Sequence, residues 1–226
     1  FVRRVRSLPS NTQRLLLAAA AEPVGDVTTL WRAAKVLGIG ADAAAPAEAD
    51  GLIELGARVR FRHTLARSAA YRAATAQERQ EIHKALAEVT DPSADSDRRA
   101  WHRAYAALGP DEAVADELEE SADRAQRRGG VAAAAAFLER ATDLTPNPAR
   151  RGTRALAAAQ AKFEAGSASA AVALLAAAEL CPLDELQRAR LVRMRAHIVF
   201  AQRRGGEAPA LLLDAAKRLE DIHAGL

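Results

Sequence analysis

The side chains of this 226-residue chain that could do chemistry are few: histidines 63, 83, 102, 197 and 223, one cysteine, four lysines, and arginines at 58, 60, 62 and 67. Metal binding needs ligands at a spacing that converges on one ion. His83, His102, His197 and His223 show neither an HExxH arrangement nor a nearby cysteine pair, so no metal site is expected. Cys181 precedes Pro182 at a predicted helix end with no placed base, and reads as a small apolar packing residue. A phosphate-binding loop requires a lysine just after a glycine-rich turn, and none of Lys35, Lys84, Lys162 and Lys217 follows a glycine. The segment Gly38-Ile39-Gly40-Ala41-Asp42-Ala43 loosely matches a dinucleotide-binding turn, but it follows a predicted helix rather than a strand and reads as helix termination. No enzyme is assembled from these residues.

The arginines carry a second possibility. Arg58, Arg60 and Arg62 alternate with Val59 and Phe61, and Arg67 follows, so the run could meet phosphates of DNA; the simpler reading is a solvated strand face. Asp42, Glu48 and Asp50 lie where a recognition helix would carry basic and amide groups, and they oppose direct DNA binding. The net charge of +3 gives no strong field, and only a weak excess of base falls before residue 90.

Those residues need elements to position them. Half of the chain is apolar but only 4% is aromatic, so alanine-rich helices that pack closely are expected, in two modules. A single cysteine suits a reducing compartment, and no apolar run approaches a membrane span; the expectation is a cytoplasmic protein. The start at Phe1, within a helical pattern, reads as an excised segment.

Ser10-Asn11-Thr12-Gln13 after Pro9 has capping-box spacing and predicts a helix to about Ala21. Asp26 is expected to cap a second helix that ends at Gly38 and Gly40, and a third runs over about 41–50. Strands Leu52–Leu55 and Arg58–Arg62 flank Gly56-Ala57, a two-residue turn. Three helices followed by this hairpin predict a winged helix. Thr75-Ala76-Gln77-Glu78 repeats the capping box and starts a helix with Ile82, Ala85, Leu86 and Val89 on one face. The polar connector 91–97 places the boundary, giving a winged-helix module over 1–90 and a helical-repeat domain over 91–226.

The second part is periodic. Gly129, Gly166 and Gly205 recur, and a shift of 36 sets Leu138 on Leu174, Ala141 on Ala177, Leu144 on Leu180 and Pro146 on Pro182. A further shift of 39 carries Leu174 to Leu213, Ala177 to Ala216 and Leu180 to Leu219. Three helical hairpins on one plan suggest a tetratricopeptide-like α-solenoid with degenerate aromatic positions. The acidic stretch from Asp111 to Asp123 reads as a solvated helix face, with docking onto the arginine-rich module as the alternative. The expected fold is therefore all-α with one small β-hairpin.

The run RFRHTLARSAAYRAATAQERQEIHKALAE, residues 60–88, resembles a passage of large ATP-dependent transcription regulators of the LuxR type, within the signal-transduction ATPases with numerous domains. WHRAYAALGPDEAVADELEESADRAQRRGGVAAAAAFLERATDLTP, residues 101–146, is similar to the start of their helical sensor region. The resemblance covers about residues 1–150, and the rest only by repeat style. It implies a regulatory segment without enzymatic activity of its own, joining the nucleotide state of an ATPase domain to an inducer or protein bound on the repeats. ATP or ADP is the cofactor it implies for the full-length parent, and none for this segment. The implied partners are the parent's own ATPase and helix-turn-helix domains, with DNA reached only through the latter and no membrane. His63 is implied to be a sensor of the nucleotide phosphates, although Thr64 stands where the family usually has proline. A histidine at a helix N-terminus suits that task, because backbone N–H groups and the helix dipole already favour an anion there. The alternatives are a free-standing protein-interaction scaffold, or a winged helix that binds DNA directly through Arg58, Arg60 and Arg62.

Overall fold

In the computed structural model, which describes residues 1–203 and Leu213, the chain forms twelve α-helices and one two-stranded antiparallel hairpin among those residues. This is the mostly helical class that the alanine-rich composition predicts. The chain divides into two units, Phe1–Leu108 and Gly109–Leu226.

The first unit is organised round one embedded helix. After α1 (Val2–Arg6), α2 (Ser10–Ala21) buries every residue from Leu15 to Ala20. Leu15 and Ala18 face α3 (Val27–Val36) and a later helix, while Leu16 and Ala20 face α1, the hairpin and α5 (Thr64–Ala73). The predicted capping box of α2 is not formed: Pro9 is the N-cap, and the Gln13 side-chain amide donates to the carbonyls of Arg6 and Leu8 instead. Gln13 therefore ties α2 to the preceding turn.

Asp26 does cap α3, accepting from the N–H groups of Thr28 and Thr29. The hydroxyl of Thr29 also donates to it and, with those N–H groups, holds the carboxyl below the usual carboxylate range. A 3-10 turn over Ala41–Ala44 leads into α4 (Ala45–Ala49), the third helical segment expected before the hairpin.

Strands β1 (Ile53–Leu55) and β2 (Val59–Phe61) pair with Ile53 opposite Phe61, Glu54 opposite Arg60 and Leu55 opposite Val59. That register leaves Gly56, Ala57 and Arg58 in the loop, so the turn has three residues rather than the two expected. A further bond from Arg62 N–H to the Leu52 carbonyl extends the ladder. On its other side β2 receives the turn after α2, where Val59 N–H donates to the Gly25 carbonyl. Gly25 has a φ of 74°, and a Cβ there would lie 2.7 Å from the Val59 carbonyl oxygen, so both the backbone and the space require glycine.

Helix α6 (Ala76–Val89) begins at the predicted capping box, with Thr75 and Glu78 bonded reciprocally, and buries Ile82, Ala85, Leu86 and Val89 as expected. The connector behind it is not an edge of the unit. Asp91 accepts from Ser93 and Ala94, satisfying the turn locally, and α7 (Ser96–Ala106) folds back onto α6. Arg98 of α7 then pairs at 2.9 Å with Glu22, itself only 2% exposed, at the end of α2. The first unit thus extends 18 residues past the expected boundary at residue 90, to Leu108.

The second unit contains α8 (Glu112–Arg127), α9 (Val131–Leu144), α10 (Pro148–Glu164), α11 (Ala168–Glu179) and α12 (Glu185–Arg203). Gly129 and Gly166, at φ 76° and 79°, close the α8–α9 and α10–α11 hairpins. Both hairpins follow the predicted plan, with one correction to its register. Leu180 is 90% exposed while Leu144 is 3% exposed, and Ala177 is exposed where Ala141 is buried, so the shift of 36 does not hold past the turn. The spacing of 37 that separates the two glycines continues as far as the start of α12. It matches Leu138 with Leu175 and Ala141 with Ala178, all buried. It also matches Asn147, the cap of α10, with Asp184, which accepts from Gln187 at the start of α12. Of the third hairpin only α12 and Leu213 fall within the described residues; Gly205, Ala216 and Leu219 lie outside them.

Candidate functional site

His63 sits where β2 passes into α5, as the N-cap of that helix. Its Nδ1 accepts from the Leu65 N–H at 3.1 Å, and the ring lies 5.1 Å from that of Phe1. An accepting Nδ1 places the proton of the neutral ring on Nε2, and the residue is exposed. The capping role is therefore real, and it leaves the second nitrogen able to donate. A groove of about 490 Å³ runs nearby between residues 22–25, β2 and the first turns of α5, with Glu22, Arg60, Thr64, Arg67 and Ser68 among its lining.

The arginines separate into two groups. Arg58, Arg60 and Arg62 are exposed on the hairpin, one residue of each pair apart on the strand, and Arg60 has the acidic Glu54 as its cross-strand partner. Arg67 is not on the hairpin. It lies on α5 and donates to the carbonyls of Ala20 and Glu22, satisfying the C-terminal end of α2. The segment Gly38–Ala43 terminates α3: Gly38 has a φ of 68° and Ile39 turns back into the core at 6% exposure.

A second cluster joins α5, α6 and α7. Tyr71 Oη lies 2.9 Å from His83 Nε2, and His83 Nδ1 lies 2.9 Å from His102 Nδ1. The two histidines are 3% and 0% exposed, and Tyr105 stacks on His83 at 4.9 Å with Trp101 beside it. One proton must sit between the facing Nδ1 atoms, and with either arrangement the Nε2 of His102 is buried without a hydrogen-bond partner. Burial lowers His83 to about 4, helped by the Arg79 charge. Burial likewise lowers His102 to about 3, with His83 and Arg98 adding to it. Burial also raises the Tyr71 hydroxyl. Only two imidazoles face each other here, and no group of three or more His, Cys, Asp or Glu suited to a metal occurs among the described residues.

The second unit has a buried cation at its centre. Arg154 of α10 is 2% exposed. Its guanidinium meets Glu112 at 2.7 Å, Glu119 at 2.9 Å and Asp116, all on α8, and donates to the Thr145 hydroxyl at 2.7 Å. Burial alone would lower its pKa, but the bonds from Glu119 and Glu112 outweigh that and raise it. Arg150, one turn earlier, also reaches Glu112 and Asp116. Much of the acidic stretch is therefore committed to α10 within its own unit, rather than forming a purely solvated face. Spacing held the signal: acids at 112, 116 and 119 share one face of a helix, and arginines at 150 and 154 share one face of the next-but-one.

Cys181 is half-buried, with Sγ 3.5 Å from the Ala177 carbonyl. Its Cβ would lie 2.9 Å from a Cβ added at Gly152, so it packs where α10 passes the turn after α11. His197 is exposed on α12, and His223 lies outside the described residues. No described helix is long and apolar enough to cross a membrane. Compared with protein-family models, with curated proteins and with solved structures, the chain matches none.

Proposed function

We propose that this chain is the regulatory segment of a LuxR-type, ATP-dependent transcription regulator, with a winged-helix module followed by a tetratricopeptide-like sensor array. The observation that carries the reading is the junction at His63. A strand ends, a histidine caps the following helix through Nδ1, and its Nε2–H is left at an exposed helix N-terminus where an anion is favoured. That supports a role in reading the phosphates of a nucleotide held by an ATPase domain of the parent. The succession of helical segments, hairpin and capped helix supports the winged-helix assignment, and the 37-residue recurrence of glycine-closed hairpins supports the repeat array.

In this reading the segment performs no catalysis. It acts in the cytoplasm by population shift: a ligand on the repeats that favours one arrangement of the parent moves the equilibrium by its differential affinity for the two states. DNA is then engaged by a helix-turn-helix elsewhere in the parent. The test is to read the parent's coding sequence on both sides of the segment. A phosphate-binding loop upstream and a helix-turn-helix of roughly 60 residues downstream are expected. Finding neither overturns the proposal in favour of a free-standing scaffold.

A further inference from the structure

The outer edge of the hairpin is only partly used. Arg62 N–H donates to the Leu52 carbonyl and Gly56 N–H to the Arg58 carbonyl. Bonded and non-bonded pairs alternate in an antiparallel ladder, so Arg58, Arg60 and Arg62 turn their main-chain groups toward β1 while Val59 and Phe61 turn theirs away. On that outer edge the Gly25 carbonyl takes the Val59 N–H, but the N–H and carbonyl of Phe61 have no hydrogen-bond partner among the described residues. Phe61, Val24 and Gly25 line the groove of about 490 Å³ beside α5, so those groups open onto it. An edge with unused main-chain groups is a template for a further strand.

The two faces of β2 give that edge a chemical preference. Side chains alternate along a strand, so Val59 and Phe61 pack toward the core while Arg58, Arg60 and Arg62 stand exposed on the other face, roughly 7 Å apart. None of these three arginines is in an ion pair among the described residues, and Glu54, across from Arg60, lies on the β1 side of the row. Glu22 is the one acid among the described residues that line the groove. It is 2% exposed and already spent, accepting from Arg98 and from the Asp26 N–H. Val24, 51% exposed, adds apolar surface to the same groove. The groove therefore offers main-chain groups, an apolar wall and a row of uncommitted cations.

We infer that this groove accepts an extended acidic segment of a partner protein, added to β2 as a third strand. The segment's main chain bonds the N–H and carbonyl of Phe61, an apolar side chain beside Phe61 reaches Val24, and the acidic side chains on either side lie next to Arg60 and Arg62. A second copy of β2 is a poor occupant, because it would set arginines against arginines. Duplex DNA would meet the arginines but has no main-chain N–H and carbonyl to pair with those of Phe61. The inference stands apart from the role of His63, since a parent without an ATPase domain leaves the titrations below unchanged.

The experiment is NMR titration of the 226-residue chain with a capped peptide of alternating glutamate and valine, with hydrogen exchange of the Phe61 amide as a second readout. Two control peptides separate charge from main-chain pairing: one carries lysine in place of glutamate, and the other carries proline in place of valine, which keeps the acids but removes donors. Saturable binding of the glutamate–valine peptide, at least about tenfold tighter than either control, is expected, with exchange of the Phe61 N–H slowed at least about tenfold. The double variant Arg60→Gln, Arg62→Gln should weaken binding about tenfold with circular dichroism as in the wild type, because both side chains are exposed. The inference is overturned by an absence of saturable binding, by equal affinity for either control, by an unprotected Phe61 amide, or by undiminished binding in the double variant. Tighter binding of random duplex DNA than of the peptide would also overturn it, assigning the arginine row to nucleic acid.

Discussion

Replacing Arg154 by alanine should destabilise the second unit by about 3 kcal/mol, the largest effect of any single substitution in it. The guanidinium is 2% exposed and is the common partner of Glu112, Asp116 and Glu119, whose side chains are 28%, 47% and 43% exposed. Its loss takes the cation from Glu119, leaves Glu112 and Asp116 to the more exposed Arg150 alone, and removes the donor to the buried hydroxyl of Thr145, which keeps its own bond to the Ala141 carbonyl. It also removes the aliphatic stem that packs between α8 and α10. Arg154→Lys keeps the charge but not the planar fork that serves several oxygens at once, so it should recover less than half of the loss. Urea unfolding followed by circular dichroism measures both. A change within about 0.5 kcal/mol for Arg154→Ala would place this network with ordinary surface ion pairs and contradict the packing described.

The second large effect is acid loss of the first unit. His83 and His102 are held below the ordinary histidine value of 6.5, at about 4 and about 3, so the unfolded chain binds more protons than the folded chain below about pH 6.5. Their contribution is fully present above that pH and is lost as the pH falls from 6.5 through about 4 for His83 and about 3 for His102. The first proton added to the pair goes to an Nε2 and leaves the proton between the Nδ1 atoms in place; a second sets two Nδ1–H groups against each other and breaks the contact. The charged groups around them offer no relief. Arg79 and Arg98 are cations, Glu22 is already spent on Arg98, and Tyr71 and Tyr105 are neutral. Each pKa unit is worth about 1.4 kcal/mol and each histidine accounts for a little over two units by pH 4, so a loss on the order of 6 kcal/mol is expected there. The upper part of this window, down to about pH 5, lies above that of the caps Asp26 and Glu78, which are held below their ordinary values of 3.8 and 4.5. Thermal melts from pH 7 to 4 should show the loss in the wild type and a flatter profile in the double variant His83→Met, His102→Leu. Equal slopes in the two would contradict it.

How much of this was readable from the residues depended on how local the cause was. The α6 capping box and the Asp26 cap of α3 are settled within four residues of chain, and both stand as expected. Gln13 had the same local spacing, but the carbonyls of Arg6 and Leu8 were within its reach and took its amide. A polar connector at 91–97 looked like a boundary because nothing in it could be buried. Whether the next helix returns to the same core depends on contacts such as Arg98 with Glu22, 76 residues apart in sequence, and no local pattern records them. The repeat was visible through its glycines, yet its register slipped by one. Leucines at 144 and 180 looked equivalent, and only burial shows that Leu180 faces out.

The functional candidates follow the same division. His63 at the head of α5 was what the family resemblance implied, and it is the N-cap there. The facing of His83 and His102 was not legible, because each lies on its own helix among alanines and apolar residues, and their meeting needs the fold-back of α7 onto α6. Arg154 among the acids of α8 was half legible, through spacing on the two helices, but its burial was not.

We propose that His63 reads the phosphates of a nucleotide held by an ATPase domain of the parent. The most direct measurement is the nucleotide affinity of the full-length parent and of its His63→Ser variant. Serine keeps the N-cap, so α5 should remain intact, while the imidazole Nε2–H is lost. Loss of one hydrogen bond to a charged phosphate predicts affinity about tenfold weaker with unchanged melting of the first unit. Unchanged affinity in a parent that binds nucleotide, or a parent that binds none, would contradict the account.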